Sequence, residues 1–294
     1  MKKLISILMT LILMGSIVSC SKDDSITIAS KPMTEQFIIA EMMFALIEQE
    51  TDLTVEYKAG IGGGTANIHP AMMKGEIDIY PEYSGTGWME VLKQDLINDP
   101  EELYDAVKKG YSEEFNIYWS NLYGFNDTFG LAMKKDLANE LNIKTYSDLA
   151  AVSKDLTFGA EHDFFEREDG LPGLNEVYGM DFGKEVGMDI GLKYQAINSG
   201  EVDVINIFST DGKLEEYNML VLVDDLNFFP SYYAATLVRQ EVLDENPELI
   251  EVLGMLDGAI NNDEMTLMNY KVEIEKQEPR EVAREFLQEK GILN

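Results

Sequence analysis

One stretch of this chain occurs twice. Gly75-Glu76-Ile77-Asp78-Ile79, followed by Tyr83-Ser84 and then Gly87, returns as Gly200-Glu201-Val202-Asp203-Val204, followed by Phe208-Ser209 and then Gly212, with every match at an offset of 125 residues. In each copy the pattern predicts a helix that stops at Gly, a short strand, and an aromatic side chain delivered just past the strand, beside the next helix. Ligands of open α/β sheets gather at the carboxyl ends of strands. Two such units facing each other would therefore send Tyr83 and Phe208 into one cleft. Taken alone, the echo is also what two ordinary helix-strand units could show by chance, because Gly-Glu-Ile-Asp-like turns are common.

The rest of the chain keeps the same rhythm, which predicts an α/β architecture with largely parallel sheets. Ile26 to Ala29, Leu53 to Tyr57, Ile77 to Tyr80, Leu156 to Ala160 and Val202 to Phe208 read as strands. Thr34 and Thr65 are candidate caps for helices that follow them. Lys135 to Ala151, Gly191 to Ser199, Val242 to Ile260 and Pro279 to Gly291 read as helices, with Pro279 suited to a first turn. At 294 residues with 45 % hydrophobic content, the chain can bury one large core or two medium ones.

Several functions are excluded by residues the chain lacks. Its 23 Lys and Arg stand against 54 Asp and Glu, and the basic residues never form more than pairs, so nothing is available to hold a phosphate backbone. A single Cys and two distant histidines, His69 and His162, provide neither a zinc framework nor an internal disulfide. The run Gly60-Ile61-Gly62-Gly63-Gly64-Thr65 is not a P-loop, because Ala66 and Asn67 stand where the phosphate-binding Lys would follow. Its glycines fit a close backbone approach to the cleft or a simple turn into a helix. Neither His69 nor His162 has a nucleophile or second ligand at a recognisable spacing, and His69 reads as a packed histidine. The sixteen methionines show no ligand pattern and read as core filler.

The first nineteen residues read as a signal segment: Lys2 and Lys3, an apolar run from Leu4 to Met14, then small residues. That run is too short to span a bilayer, which takes about 20 residues. Ile17-Val18-Ser19-Cys20 resembles the lipobox of bacterial lipoproteins, which implies lipidation of Cys20, membrane attachment on the extracytoplasmic face, and a tether over residues 20–25.

Longer motifs place the chain in a family. Ser30-Lys31-Pro32-Met33-Thr34-Glu35-Gln36, the run from Lys74 to Gly87 containing Tyr80-Pro81-Glu82-Tyr83-Ser84-Gly85-Thr86, and Arg167-Glu168-Asp169-Gly170-Leu171-Pro172-Gly173-Leu174 resemble the substrate-binding proteins of osmoprotectant ABC importers. Met188 to Ala196, Phe208-Ser209-Thr210-Asp211-Gly212, Phe228 to Tyr232 and Asn269 to Val272 extend the likeness in order along nearly the whole chain. The resemblance implies a two-lobed type II periplasmic-binding fold with a ligand cleft between lobes, lobe one being residues 26–128 and 231–294 and lobe two residues 129–230. It also implies a monomeric receptor without cofactor, metal or catalytic residue, handing a quaternary-ammonium solute to an ABC permease and its ATPase subunit.

The chemistry of such a ligand explains the residues. A trimethylammonium head has a full charge but no N–H, so acceptors recognise it poorly and aromatic faces recognise it well. The family's aromatic box matches Tyr83, Phe129, Phe208 and Tyr232, two of which are the echo aromatics. Its carboxylate-holding positions match Lys31, Thr86 and Arg167, and Asp127 matches a position whose carbonyl faces the cationic head. An Arg fork suits a carboxylate, although a salt bridge to Glu166, Glu168 or Asp169 is the simpler reading of Arg167 on its own. The box departs from the family by having Phe at 129 and 208 where Tyr is usual. Choline-preferring members tend to have an acid at the position of Thr86, so Thr86 points to a zwitterion such as glycine betaine or carnitine, with choline, proline betaine or ectoine as alternatives. Polyamines would require cleft carboxylates in place of Lys31 and Arg167. Prephenate- or arogenate-type dehydratases use a similar two-lobed fold and would need a cleft acid or base, for which Glu82 or Asp163 could be nominated.

Overall fold

A computed structural model describes residues 25–293. The signal segment, Cys20 and the first five residues of the expected tether lie outside that range, and Ser25, the tether's expected end, instead opens the first strand.

The chain runs β1 (Ser25–Ala29), α1 (Thr34–Glu50), β2 (Thr54–Lys58), α2 (Thr65–Met73), β3 (Ile79–Tyr83), a π-helical turn Thr86–Val91, α3 (Pro100–Phe115) and β4 (Ile117–Asn126). It then crosses into β5 (Phe129–Lys134), α4 (Lys135–Leu141), α5 (Tyr146–Val152), β6 (Thr157–Glu161), α6 (Leu171–Tyr178), β7 (Lys184–Met188), α7 (Lys193–Ser199), β8 (Val204–Phe208) and β9 (Met219–Val221). It returns through β10 (Tyr233–Arg239), α8 (Gln240–Glu245), α9 (Leu249–Gly254), α10 (Asn262–Glu273) and α11 (Pro279–Glu289).

These strands make two five-stranded sheets with matching topology, β2-β1-β3-β10-β4 and β7-β6-β8-β5-β9. Each sheet has three parallel strands, but β10 and β5 run antiparallel to their neighbours, so the sheets are mixed rather than largely parallel. The antiparallel strands are the ones through which the chain enters each lobe, and neither belongs to a β-α-β repeat that a periodic reading could detect.

The sequence echo is a structural one. Gly75 and Gly200 both end their helices in the left-handed region, at φ 73° and 75°, which costs a glycine little. Asp78 N–H donates to Thr27 O at 2.9 Å while its carboxylate accepts from Thr27 N–H at 2.9 Å. Asp203 and Thr157 repeat that reciprocal pair at 2.8 Å and 2.8 Å. Each Asp therefore pins the first strand of its lobe to the third, and Tyr83 and Phe208 are the last residues of β3 and β8.

Both faces of each sheet are covered, as parallel strands require. In the first lobe α1 is buried nearly all round because α9, α10 and α11 wrap it, and Ile38, Met42 and Leu46 pack with Leu256, Ala283 and Leu287. Tyr80, Tyr111 and Trp119 fill the opposite side. In the second lobe Phe158, Leu149 and Leu174 cover one face, and Ile197, Ile205 and Ala132 the other.

Local departures from expectation have identifiable causes. Thr34 and Thr65 are first helical residues and not caps; their hydroxyls donate to Glu273 and Glu82 at 2.8 and 2.9 Å. The stretch from Lys135 divides where Asn142 turns left-handed and Thr145 caps α5. The stretch from Val242 divides at Pro247, which cannot continue the helix ladder.

Candidate functional site

The topology brings four rings to one place. In an antiparallel pair, the end of one strand lies beside the start of its partner. Phe208 at the end of β8 therefore pairs with Phe129 at the start of β5, and Tyr83 at the end of β3 lies beside Tyr232, which enters β10. Phe129 stands 5.1 Å from Phe208 and 5.3 Å from Tyr232 between ring centroids. A Cβ on Gly85 would approach the Tyr232 ring to 2.8 Å, so the turn after β3 can pass that ring only as glycine. All four rings line one cavity of about 340 Å3 between the sheets, together with Lys31, Thr86, Asp127 and Arg167. Every ligand-binding residue expected from the sequence is thus at this cavity, and Gly62, Gly63 and Gly64 reach it as backbone.

The two chain crossings sit at the cavity's edge and are bonded to each other. Asp127 N–H donates to Tyr232 O at 3.1 Å, Tyr232 N–H to Asn126 Oδ1 at 2.6 Å, and Ser209 Oγ to Asn126 O at 3.0 Å.

Three cations flank the rings, and each has its own carboxylate. Lys31 Nζ lies 4.9 Å from the Tyr83 ring centre and is ion-paired with Glu82. Burial pulls the Lys31 pKa below its ordinary value, against the opposing pull of Glu82. Arg167 stacks 5.2 Å over Phe129, and its Nε and Nη2 donate to Asp169 at 2.8 and 2.5 Å. The simpler partner expected for Arg167 is therefore real, but the pair is buried in the cavity wall and not solvated at the surface. Two of the guanidinium's five N–H donors serve Asp169, which leaves others for a ligand carboxylate. Lys193, 4.8 Å from the Phe208 ring centre, contacts Glu161 at 2.8 Å.

The tyrosine hydroxyls are spent within the protein: Tyr83 donates to Glu35 at 2.6 Å and Tyr232 to Asp169 at 2.5 Å. Anchoring by carboxylates holds both rings in place and makes them more electron-rich, while Phe129 and Phe208 are held by packing against each other and by the stacked cations. Glu35 and Lys193 were not singled out from the sequence. Glu35 sits in the first turn of α1, where the helix dipole favours an acid, a position that in sequence suggests only helix stability.

Other candidates resolve plainly. Glu82 is fully buried and accepts from Lys31, from Thr65 at 2.9 Å and from the Tyr83 N–H at 2.8 Å, so no lone pair is aimed at a reacting group. Asp163 and His162 stand at the cavity wall, where burial raises the Asp163 carboxyl. His69 packs edge-on against Tyr111 and Phe115 at 5.5 and 4.8 Å, as a core histidine, with burial lowering its pKa.

Comparison with known proteins agrees with this architecture. Residues 24–289 match the family described as the substrate binding domain of ABC-type glycine betaine transport system. The ergothioneine transport permease/ergothioneine binding protein EgtU of Helicobacter pylori is 40 % identical over 271 residues, covering 92 % of this chain and 48 % of that protein, so this chain spans about half of it. The carnitine transport binding protein OpuCC of Listeria monocytogenes is 37 % identical over 298 residues, covering 98 % of this chain and 96 % of that one. A crystal structure described as a glycine betaine/carnitine/choline ABC transporter superimposes with a TM-score of 0.73 at 34 % identity, covering 92 % of this chain and all of that one.

Proposed function

Because the chain belongs to the family of substrate-binding domains of ABC-type glycine betaine transport systems, a family of receptors and not of enzymes, we propose that its cavity holds a trimethylammonium carboxylate for delivery to an ABC permease. Tyr83, Phe129, Phe208 and Tyr232 enclose the cationic head, Asp127 faces it, and Arg167 and Thr86 take the carboxylate, with Lys31 supporting the wall through Glu82. The observation behind this reading is that four rings from four distant stretches line one cavity that also presents an arginine fork. Each cation–π contact is worth about 0.5–2 kcal/mol.

Glycine betaine, carnitine and ergothioneine, the ligands in the relatives' names, share that head and that carboxylate. The cavity of about 340 Å3 equals roughly eleven waters at ~30 Å3 each, which leaves room beside a betaine head for a longer substituent. The expected lobes are residues 26–128 with 231–294, and 129–230, hinged at the two bonded crossings. Closure on ligand follows from its greater affinity for the shut form. One copy of the chain encloses the whole site, in keeping with a monomer. Cys20 would hold the receptor on the extracytoplasmic face through lipid.

A thermal-shift and calorimetry panel of glycine betaine, carnitine, ergothioneine and choline tests the reading. A carboxylate-bearing ligand should bind most tightly and raise the melting temperature at saturation. Absence of binding by all four overturns the proposal.

A further inference from the structure

Behind the Tyr83 hydroxyl lies a cluster of buried oxygens with one proton too few. Thr210 Oγ1 stands 2.6 Å from Glu35 Oε2 and 2.8 Å from Asp127 Oδ1. A threonine hydroxyl has a single hydrogen and can donate to only one of them. The other short contact needs a hydrogen of its own, which only a protonated carboxyl can supply. Tyr83 does not provide it, since its hydroxyl is directed at Glu35 Oε1.

The two carboxyls also differ from the other acids of the cavity wall in having no cation of their own. Glu82 is paired with Lys31, Asp169 with Arg167, and Glu161 with Lys193. From the elements packed around the cluster, the remaining charged and titratable groups are already engaged. On α10, Glu273 is held by Lys213 at 3.4 Å, and Asn269 donates to Thr210 O at 2.9 Å. Beyond β8, Asp211 accepts from the Tyr194 hydroxyl at 2.8 Å and from Phe208 N–H at 3.0 Å. Glu35 and Asp127 are 3 % and 4 % exposed, so bulk water cannot screen a second negative charge there. Asp127 lines the ring-walled cavity, and both line a smaller adjoining one of about 110 Å3.

We propose that Glu35 and Asp127 share one proton in the empty receptor and release it to solvent when a quaternary-ammonium head enters the box, so that the cation is taken up in exchange for a proton. The exchange rests on the ring-box reading above. Burial raises the Glu35 carboxyl to about 7 and raises Asp127 in the same direction, which places the exchange in the physiological range. An approaching cation favours the fully ionised pair and lowers both. Glu35 thereby acts as a specificity determinant behind the ring that it orients, since an uncharged ligand of the same shape leaves the proton in place.

Calorimetry of the full chain with glycine betaine and with carnitine, in buffers of differing ionisation enthalpy between pH 6 and 8, reads the exchange directly. Release of up to one proton per ligand near pH 7 is expected. Affinity should improve by as much as tenfold per pH unit below about 7 and level off above it. Glu35→Gln should abolish both effects, and the neutral tert-butyl isostere 3,3-dimethylbutyrate should bind without proton release. A pH-independent affinity with buffer-independent heats in the unmodified protein overturns the exchange, whatever the variant does, and leaves the box standing. Failure of every quaternary amine to bind at any pH overturns both.

Discussion

Replacing Phe208 by Leu separates the charge-recognising part of the box from its greasy part. Phe208 closes the cavity on the second lobe, packs on Phe129 at 5.1 Å and supports Lys193 at 4.8 Å on a ring face. Leucine fills a similar volume, so repacking should cost under about 1.5 kcal/mol of stability. Lys193 keeps Glu161 and the Asn206 side chain, at 2.8 and 3.1 Å, and so stays buried with partners. What disappears is the quadrupole of one ring, worth about 0.5–2 kcal/mol to a desolvated cation. At 1.4 kcal/mol per tenfold, the dissociation constant for any trimethylammonium ligand should rise roughly 2- to 30-fold. The rise should be similar for glycine betaine, carnitine and choline, because the ring meets only the head. Titration calorimetry with these three and with 3,3-dimethylbutyrate gives the comparison. An equal loss for the neutral isostere would show that shape and apolar contact, not charge, are what Phe208 recognises; no loss for any cation would remove Phe208 from the box.

Arg167→Lys keeps a charge beside Asp169 but loses the fork, so binding of carboxylate-bearing ligands should weaken by about tenfold while choline changes little, measurable in the same titrations. Lys31→Met leaves Glu82 buried without its cation and should cost roughly 3–5 kcal/mol in denaturant unfolding, whereas Lys31→Met with Glu82→Gln should recover much of that loss. Without ligand, Glu35 lowers stability as pH rises. The folded chain keeps a proton on this carboxyl up to about 7, while the unfolded chain sheds it near its ordinary value of 4.5. The contribution is therefore full below about 4.5 and declines by up to about 1.4 kcal/mol per pH unit until about 7. Subtracting the Glu35→Gln unfolding curve from that of the unmodified protein should give this slope, and a difference of opposite sign would contradict the raised carboxyl.

How much of this was legible in the sequence depended on whether the information was local. The echo carried Asp78 and Asp203, whose bonds to Thr27 and Thr157 lie within their own lobes, and it carried Tyr83 and Phe208 to the right strand ends. Phe129, Tyr232 and Arg167 were found through family likeness and not through any pattern of spacing, because antiparallel entry strands have no repeat signature. Glu35 escaped notice because its partner Thr210 is 175 residues away and only folding brings the two together. Helix α3 was missed although its start is written plainly: Asp99 accepts from Glu101 and Glu102 N–H groups and Pro100 occupies the first turn. The divisions at Asn142 and Pro247 were signalled by residue types that end helices, but long apolar runs hid them.

The tyrosines ride on one sheet and the phenylalanines on the other, each ring fixed to a strand end. Opening the cleft therefore cannot dismantle the box ring by ring; it parts two prebuilt half-boxes, one phenolic and one plain. An incoming head can lodge against either pair before the other arrives, so capture and enclosure are separate events, and the slower of the two sets how fast the receptor loads.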